Sequence, residues 1–131
     1  MKATELRIGN LAIDTTEGFA GRKNRTIEVS HEVIYSIACG NDYWKPVPLT
    51  EEWLERFGFE QMKLYTGDNC FVKEKFCVLC DGQLKNYDLR LTFDSDQTIR
   101  VELDYVHQLQ NLYFALTGEE LQTDETDQKV N

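Results

Sequence analysis

The stretch YVHQLQNLYFALTGEEL, Tyr105 to Leu121, carries no formal charge between Asp104 and Glu119. In a chain that is 28% charged, fourteen residues of a solvent-facing helix would carry roughly four charges. At 100° per residue, Leu112, Tyr105, Leu116, Leu109, Tyr113 and Val106 fall within an arc of about 120°, an apolar stripe that predicts a helix lying on a sheet. Opposite it stand His107, Gln108, Gln110 and Asn111, with Phe114 in their middle. Burial penalises long charged side chains most, whereas amides and an imidazole are tolerated inside once their hydrogen bonds are met. The second face is therefore expected to be covered as well.

Three coverings compete. The helix is sandwiched between a C-terminal sheet and an N-terminal β unit, and Phe114 is core. Alternatively, His107, Gln110, Asn111 and Phe114 form a docking surface for another copy or another protein, anchored by Phe114 and Tyr113. The third is catalysis by His107, to which no nucleophile or base is tied by spacing.

The rest of the chain bounds what this helix serves. At 131 residues with 41% apolar and 11% aromatic content it suits one self-sufficient domain. MKATELRIGN lacks the apolar core of a secretion signal, and no run reaches the length of a membrane span. Cys39, Cys70, Cys77 and Cys80 are accordingly expected as reduced thiols in the cytoplasm. The net charge of −9 arises wholly after residue 46, so nucleic acid is plausible only at a local basic patch.

LRIGNLAI alternates as a strand interrupted at Gly9-Asn10, TIEVS reads as its partner across a long polar loop, and HEVIYSIAC reads as a further strand. A small curled sheet or SH3-like barrel is expected over 1–46. PVPLTEEWLERFGFE carries a helix with Thr50 as N-cap, Glu51 and Glu52 in the first turn, and Leu49 stapled to Leu54. Gly58 closes it, with Phe59 folded back on Leu54. Beyond it the turns TGDN and DG divide strand-like runs. YDLRLTF and TIRVEL predict a hairpin around DSDQ, with Phe93 opposite Ile99, Leu91 opposite Val101, Leu89 opposite Leu103 and Tyr87 opposite Tyr105; Arg90 then faces Glu102 and Asp88 faces Asp104.

The expected fold class is α+β: an N-terminal β unit, a short capped helix, and an antiparallel meander covered by the C-terminal helix. Residues 1–121 form the domain (1–46, then 47–121), and 122–131 an acidic disordered tail.

Candidate chemistry outside the helix is sparse. In a strand, the three-residue spacing of CVLC, Cys77 to Cys80, points the thiols to opposite faces, so no metal is expected and all four cysteines read as small buried hydrophobes. Arg22, Lys23 and Arg25 share a probable loop, and Tyr43 and Trp44 follow Gly40-Asn41-Asp42. If these loops met on one rim, positive charge beside aromatic faces would suit single-stranded nucleic acid; otherwise they are a solvated loop and a packed tryptophan. Asp68, Asp81, Asp94 and Asp96 fall in turns, where Asp bonds locally. No paired-carboxylate, HExxH, GxSxG, Walker or dinucleotide pattern occurs, so no cofactor is expected and a hydrolase using His107 or His31 is the weakest reading.

LRIGN, PVPLTEEWLERFGFE and YVHQLQNLYFALTGEEL, taken in order, resemble a family of short uncharacterised proteins encoded in bacterial genomes, phages and mobile elements. The middle of the chain, including CVLC, carries no resemblance. The resemblance implies an accessory protein of a mobile element, a binder more than an enzyme. The expected function is a non-catalytic protein-interaction module, self-associating through the C-terminal helix, with single-stranded nucleic-acid binding as the alternative.

Overall fold

The computed structural model describes residues 1–15, 25–63, 69–74, 76–81, 86–94 and 97–123. The order of elements is a 3₁₀ turn (Ala3–Glu5), β1 (Leu11–Asp14), β2 (Arg25–Glu28), α1 (His31–Ala38), β3 (Trp44–Pro46), α2 (Glu51–Arg56), β4 (Glu60–Lys63), β5 (Asn69–Lys73), β6 (Phe76–Asp81), β7 (Asn86–Asp94), β8 (Gln97–Leu103) and α3 (Val106–Thr117). The fold is α+β, with one three-stranded and one five-stranded antiparallel sheet and a C-terminal helix.

Two compact units divide the chain, one made of Met1–Pro48 with Tyr105–Glu120 and the other of Leu49–Asp104 with the segment from Leu121. The sequence division at residue 47 groups the last helix with the meander; in the structure α3 belongs with the N-terminal unit. Of the acidic tail, residues beyond Thr123 lie outside the described residues.

In the first unit the strand order is β2-β1-β3, an open sheet with no barrel closure among the described residues, so the curled-sheet expectation holds and the SH3-like barrel does not. The expected turn at Gly9-Asn10 is present: Asn10 N–H donates to Arg7 O at 3.1 Å, and Gly9 has φ 98°, a conformation glycine adopts without strain. HEVIYSIAC is α1, not the expected strand. Ser30 caps it, its hydroxyl accepting Val33 N–H at 3.3 Å, and Glu32 lies in the first turn. Val33, Ile34 and Ile37 recur at helical spacing: Val33 joins Leu6, Ala12 and Val29 in the core cluster and Ile34 and Ile37 pack on it, so tertiary burial overrides their β preference.

In the second unit α2 forms as its end signals predict. Thr50 Oγ1 accepts Trp53 N–H at 3.3 Å. At the other end Phe59 N–H donates to Leu54 O and Gly58 N–H to Glu55 O, both at 3.0 Å, with Gly58 at φ 92°. The sheet runs β4-β5-β6-β7-β8. Its core includes Leu54, Phe57, Phe71 and Val78, none more than 1% exposed.

The hairpin register differs from the expected one by two residues: Leu91 pairs with Ile99, Leu89 with Val101 and Tyr87 with Leu103, and Asp88 and Arg90 lie opposite Glu102 and Arg100. A bulge between Thr92 and Asp94 and a closing pair Asp94↔Gln97 take up the difference. An even slip keeps every residue on its own face, so the hydrophobic pattern alone does not choose between the registers.

The cysteines also depart from expectation. Cys70 and Cys77 form a disulfide between β5 and β6, with Cα atoms 6.4 Å apart. The register sets Cys70 opposite Leu79 and Val72 opposite Cys77, so the two sulfurs are diagonal neighbours on one face. Cys80 is buried, as a small hydrophobe would be, whereas Cys39 lies exposed at the end of α1.

Candidate interaction surface

Helix α3 starts where Tyr105 N–H donates to Gln108 Oε1 at 3.0 Å and Val106 N–H to Val47 O at 2.8 Å. It ends at Gly118, in the left-handed region at φ 76°, with Thr117 Oγ1 donating to Tyr113 O at 2.8 Å. Val106, Leu109 and Tyr113 of the expected stripe are buried, while Leu116 is exposed.

The polar face of α3 is joined by hydrogen bonds to residues 5–11 of its own unit. Gln110 Oε1 accepts Leu11 N–H at 2.8 Å, and Gln110 Nε2 donates to Gly9 O at 3.4 Å. Asn10, wholly buried, donates from Nδ2 to Asn111 Oδ1 at 2.8 Å, and its own Oδ1 accepts Arg7 N–H at 2.6 Å. Asn111 Nδ2 donates to Glu5 O at 2.8 Å. Arg7 completes the seam: its Nε donates to Asn111 Oδ1 at 2.9 Å, its two terminal nitrogens grip Glu120 at 2.6 and 3.0 Å, and its guanidinium lies 4.2 Å from the centre of the Phe114 ring.

This seam accounts for the missing charges. Side chains that both donate and accept satisfy a loop whose backbone offers both groups, and a lysine or glutamate at position 110 would satisfy only half of it. His107 and Gln110 are 1% and 4% exposed, so neither is available to a partner. Of the four residues expected at a docking surface, Asn111 is half-buried in the seam and Phe114 stays exposed.

His107 Nε2 lies 3.1 Å from Glu5 Oε1, Nδ1 is buried without a hydrogen-bond partner, and the ring stacks on Tyr105 at 5.8 Å between centroids. Burial pushes the imidazole below its ordinary value, against the opposing pull of Glu5. A neutral ring with Nε2–H donating to the carboxylate fits both nitrogens, since an orphaned lone pair is cheaper than an orphaned N–H. Partial burial works upward on the Glu5 carboxyl, but hydrogen bonds with the Lys2 backbone and His107 hold it below the usual carboxylate range. The Arg7 hydrogen bonds hold Glu120 below that range too.

What α3 leaves open is its last turn. Phe114, Ala115 and Leu116 are three consecutive exposed apolar residues, with Phe114 at 37% and Leu116 at 44%. Ile8, beside Arg7 in the turn of the seam, is 63% exposed.

The basic and aromatic residues meet in part. Asp14 of the central strand pairs with Arg25 on one side and Trp44 on the other, so both flank the same end of the sheet. Arg25 Nη2 bonds Asp14 Oδ2 at 3.1 Å. Trp44 packs against the core cluster, and Tyr43, half-exposed, stands edge-on to it at 5.6 Å. Arg22 and Lys23 lie outside the described residues. His31 opens α1, exposed.

Sequence reasoning missed Glu5, Arg7, Asn10 and Glu120 as the partners of the helix. The available signal was the charge deficit itself, which calls for a polar, loop-shaped cover rather than a second apolar sheet. Among the described residues no helix is long and apolar enough to cross a membrane. No protein-family model, curated protein or solved structure matches this chain.

Proposed function

We propose that this chain is a non-catalytic protein-interaction module, a cytoplasmic accessory or adaptor of a phage or mobile element, that docks through the end of α3. The supporting observation is the exposed run Phe114-Ala115-Leu116. Consecutive exposed apolar residues cost solubility and are kept where something covers them. Arg7 stacked on one side of Phe114 fixes the ring as an anchor, which lowers the ordering cost of binding. The simplest occupant is a second copy, placing two such turns together.

Light scattering tests this: the wild type should show twice the chain mass of 15.3 kDa, and Phe114→Glu should return it to the single-chain mass. A monomeric wild type at high concentration that also captures no partner refutes the reading.

A second reading is favoured by one observation, the placement of Arg25 and Trp44 at one end of the sheet. It makes that end a single-strand nucleic-acid site, against the local charge of Asp14. Salt-sensitive retention on a single-stranded column, lost when Arg22, Lys23 and Arg25 are neutralised, is the expected result. No retention at low salt rules it out.

A further inference from the structure

We propose that Glu5 and His107 form an acid-sensitive clasp, which holds residues 3–11 on α3 at neutral pH and releases them as the pH falls. The clasp rests on the surroundings of the imidazole. The ring is 1% exposed, one nitrogen meets the Glu5 carboxylate, and the other lies buried with no hydrogen-bond partner among the described residues. A second proton would create a buried cationic N–H with nothing to bond.

Among the described residues, two charged groups act on the ring. Glu5 faces it from the 3₁₀ turn and favours protonation, while the Met1 amino group opposes it. The Tyr105 ring, at the N-cap of α3, stacks on it, and the α3 residues one turn on, Gln110 and Asn111, are neutral amides. Arg7 and Glu120, the remaining charges of the seam, close on each other. Burial outweighs the Glu5 attraction, so the closed state disfavours the proton.

Release brings the ring into water, where it takes a proton near its ordinary 6.5. The closed arrangement is thus fully favoured above that value and weakens below it. The released fraction rises by up to about tenfold per pH unit while the closed ring stays neutral. Glu5, held below its ordinary 4.5, remains ionised across this window, so the change belongs to His107. Release would free Leu11 N–H from Gln110 and lift Arg7 off Phe114.

The chain has two histidines, one exposed in α1, so nuclear magnetic resonance separates them directly. In the full-length protein, His107 should titrate below 6.5. Hydrogen-exchange protection of the Leu11 amide, corrected for intrinsic rates, should fall by up to about fivefold between pH 6.5 and 5.5, where the released ring is only half to mostly protonated. His107→Gln, which keeps a donor toward Glu5 and cannot titrate, should abolish that dependence, and His31→Gln should preserve it. The proposal is overturned by His107 titrating at or above 6.5, by pH-independent protection of Leu11, or by His107→Gln keeping the wild-type dependence. Should His107→Gln fail to fold, the wild-type titration and exchange profiles decide alone.

Discussion

Replacing Gln110 by alanine tests whether the charge-free helix exists to bond its own N-terminal segment. The side chain is 4% exposed, and its strongest bond is to the Leu11 amide at 2.8 Å; the contacts to Gly9 O at 3.4 Å and Asn10 Nδ2 at 3.5 Å are long and weak. Asn10 keeps its better partner, Asn111, so the main loss is the part-buried Leu11 N–H left without its acceptor. At a part-buried site such an orphan costs about 1–2 kcal/mol, the lower part of the usual range, and the packing lost with the amide stem adds roughly 1 kcal/mol. A net destabilisation of about 2–3 kcal/mol follows, a large part of the ~5–15 kcal/mol that holds an ordinary domain.

Urea denaturation reads the effect. With a slope of about 1.5 kcal/mol per molar, the midpoint should fall by roughly 1.5–2 M. Trp44 packs on the core of the first unit and Trp53 belongs to α2, so a Trp53→Phe background lets fluorescence follow the unit that contains the seam. Leu116→Ala, a truncation at a 44% exposed site of the same helix, should cost no more than about 0.5 kcal/mol. If Gln110→Ala stays within that margin, or if Leu116→Ala is the costlier change, the seam does not explain the missing charges and the reasoning fails.

Thr50→Ala removes the acceptor for Trp53 N–H at the start of α2 and should destabilise by about 1 kcal/mol in the same assay, with Thr50→Ser restoring most of it. The disulfide between Cys70 and Cys77 closes a short loop, with a sequence separation of 7, so replacing both by alanine should cost about 2 kcal/mol. A non-reducing peptide map should recover the two cysteines linked and Cys39 and Cys80 as free thiols.

Much of the fold is legible locally. The α2 boundaries follow from Thr50, Glu51 and Glu52 at one end and Gly58-Phe59 at the other, because capping bonds form between residues a few positions apart. The turn at Gly9-Asn10 and the alternation of β7 and β8 are local in the same way. Where short-range preferences conflict with packing, local reading fails: Val33, Ile34 and Ile37 favour strands, yet Ser30 and the apolar cluster make them helical. Register is a long-range property, so the two-residue slip at the β7–β8 bulge and the diagonal meeting of Cys70 with Cys77 were not available from spacing.

The sequence by itself marked the polar face of the last helix as surface that desolvation would spare, because it lacks ionised side chains; His107 and Gln110 are indeed buried, whereas Phe114, expected to be covered with them, stays exposed. Only the tertiary structure decided what closes the buried part. Residues about a hundred positions away, Glu5, Arg7 and Asn10, supply the bonds. Hydrogen bonds are matched pair by pair in space, and no periodicity along one helix encodes the loop that answers it.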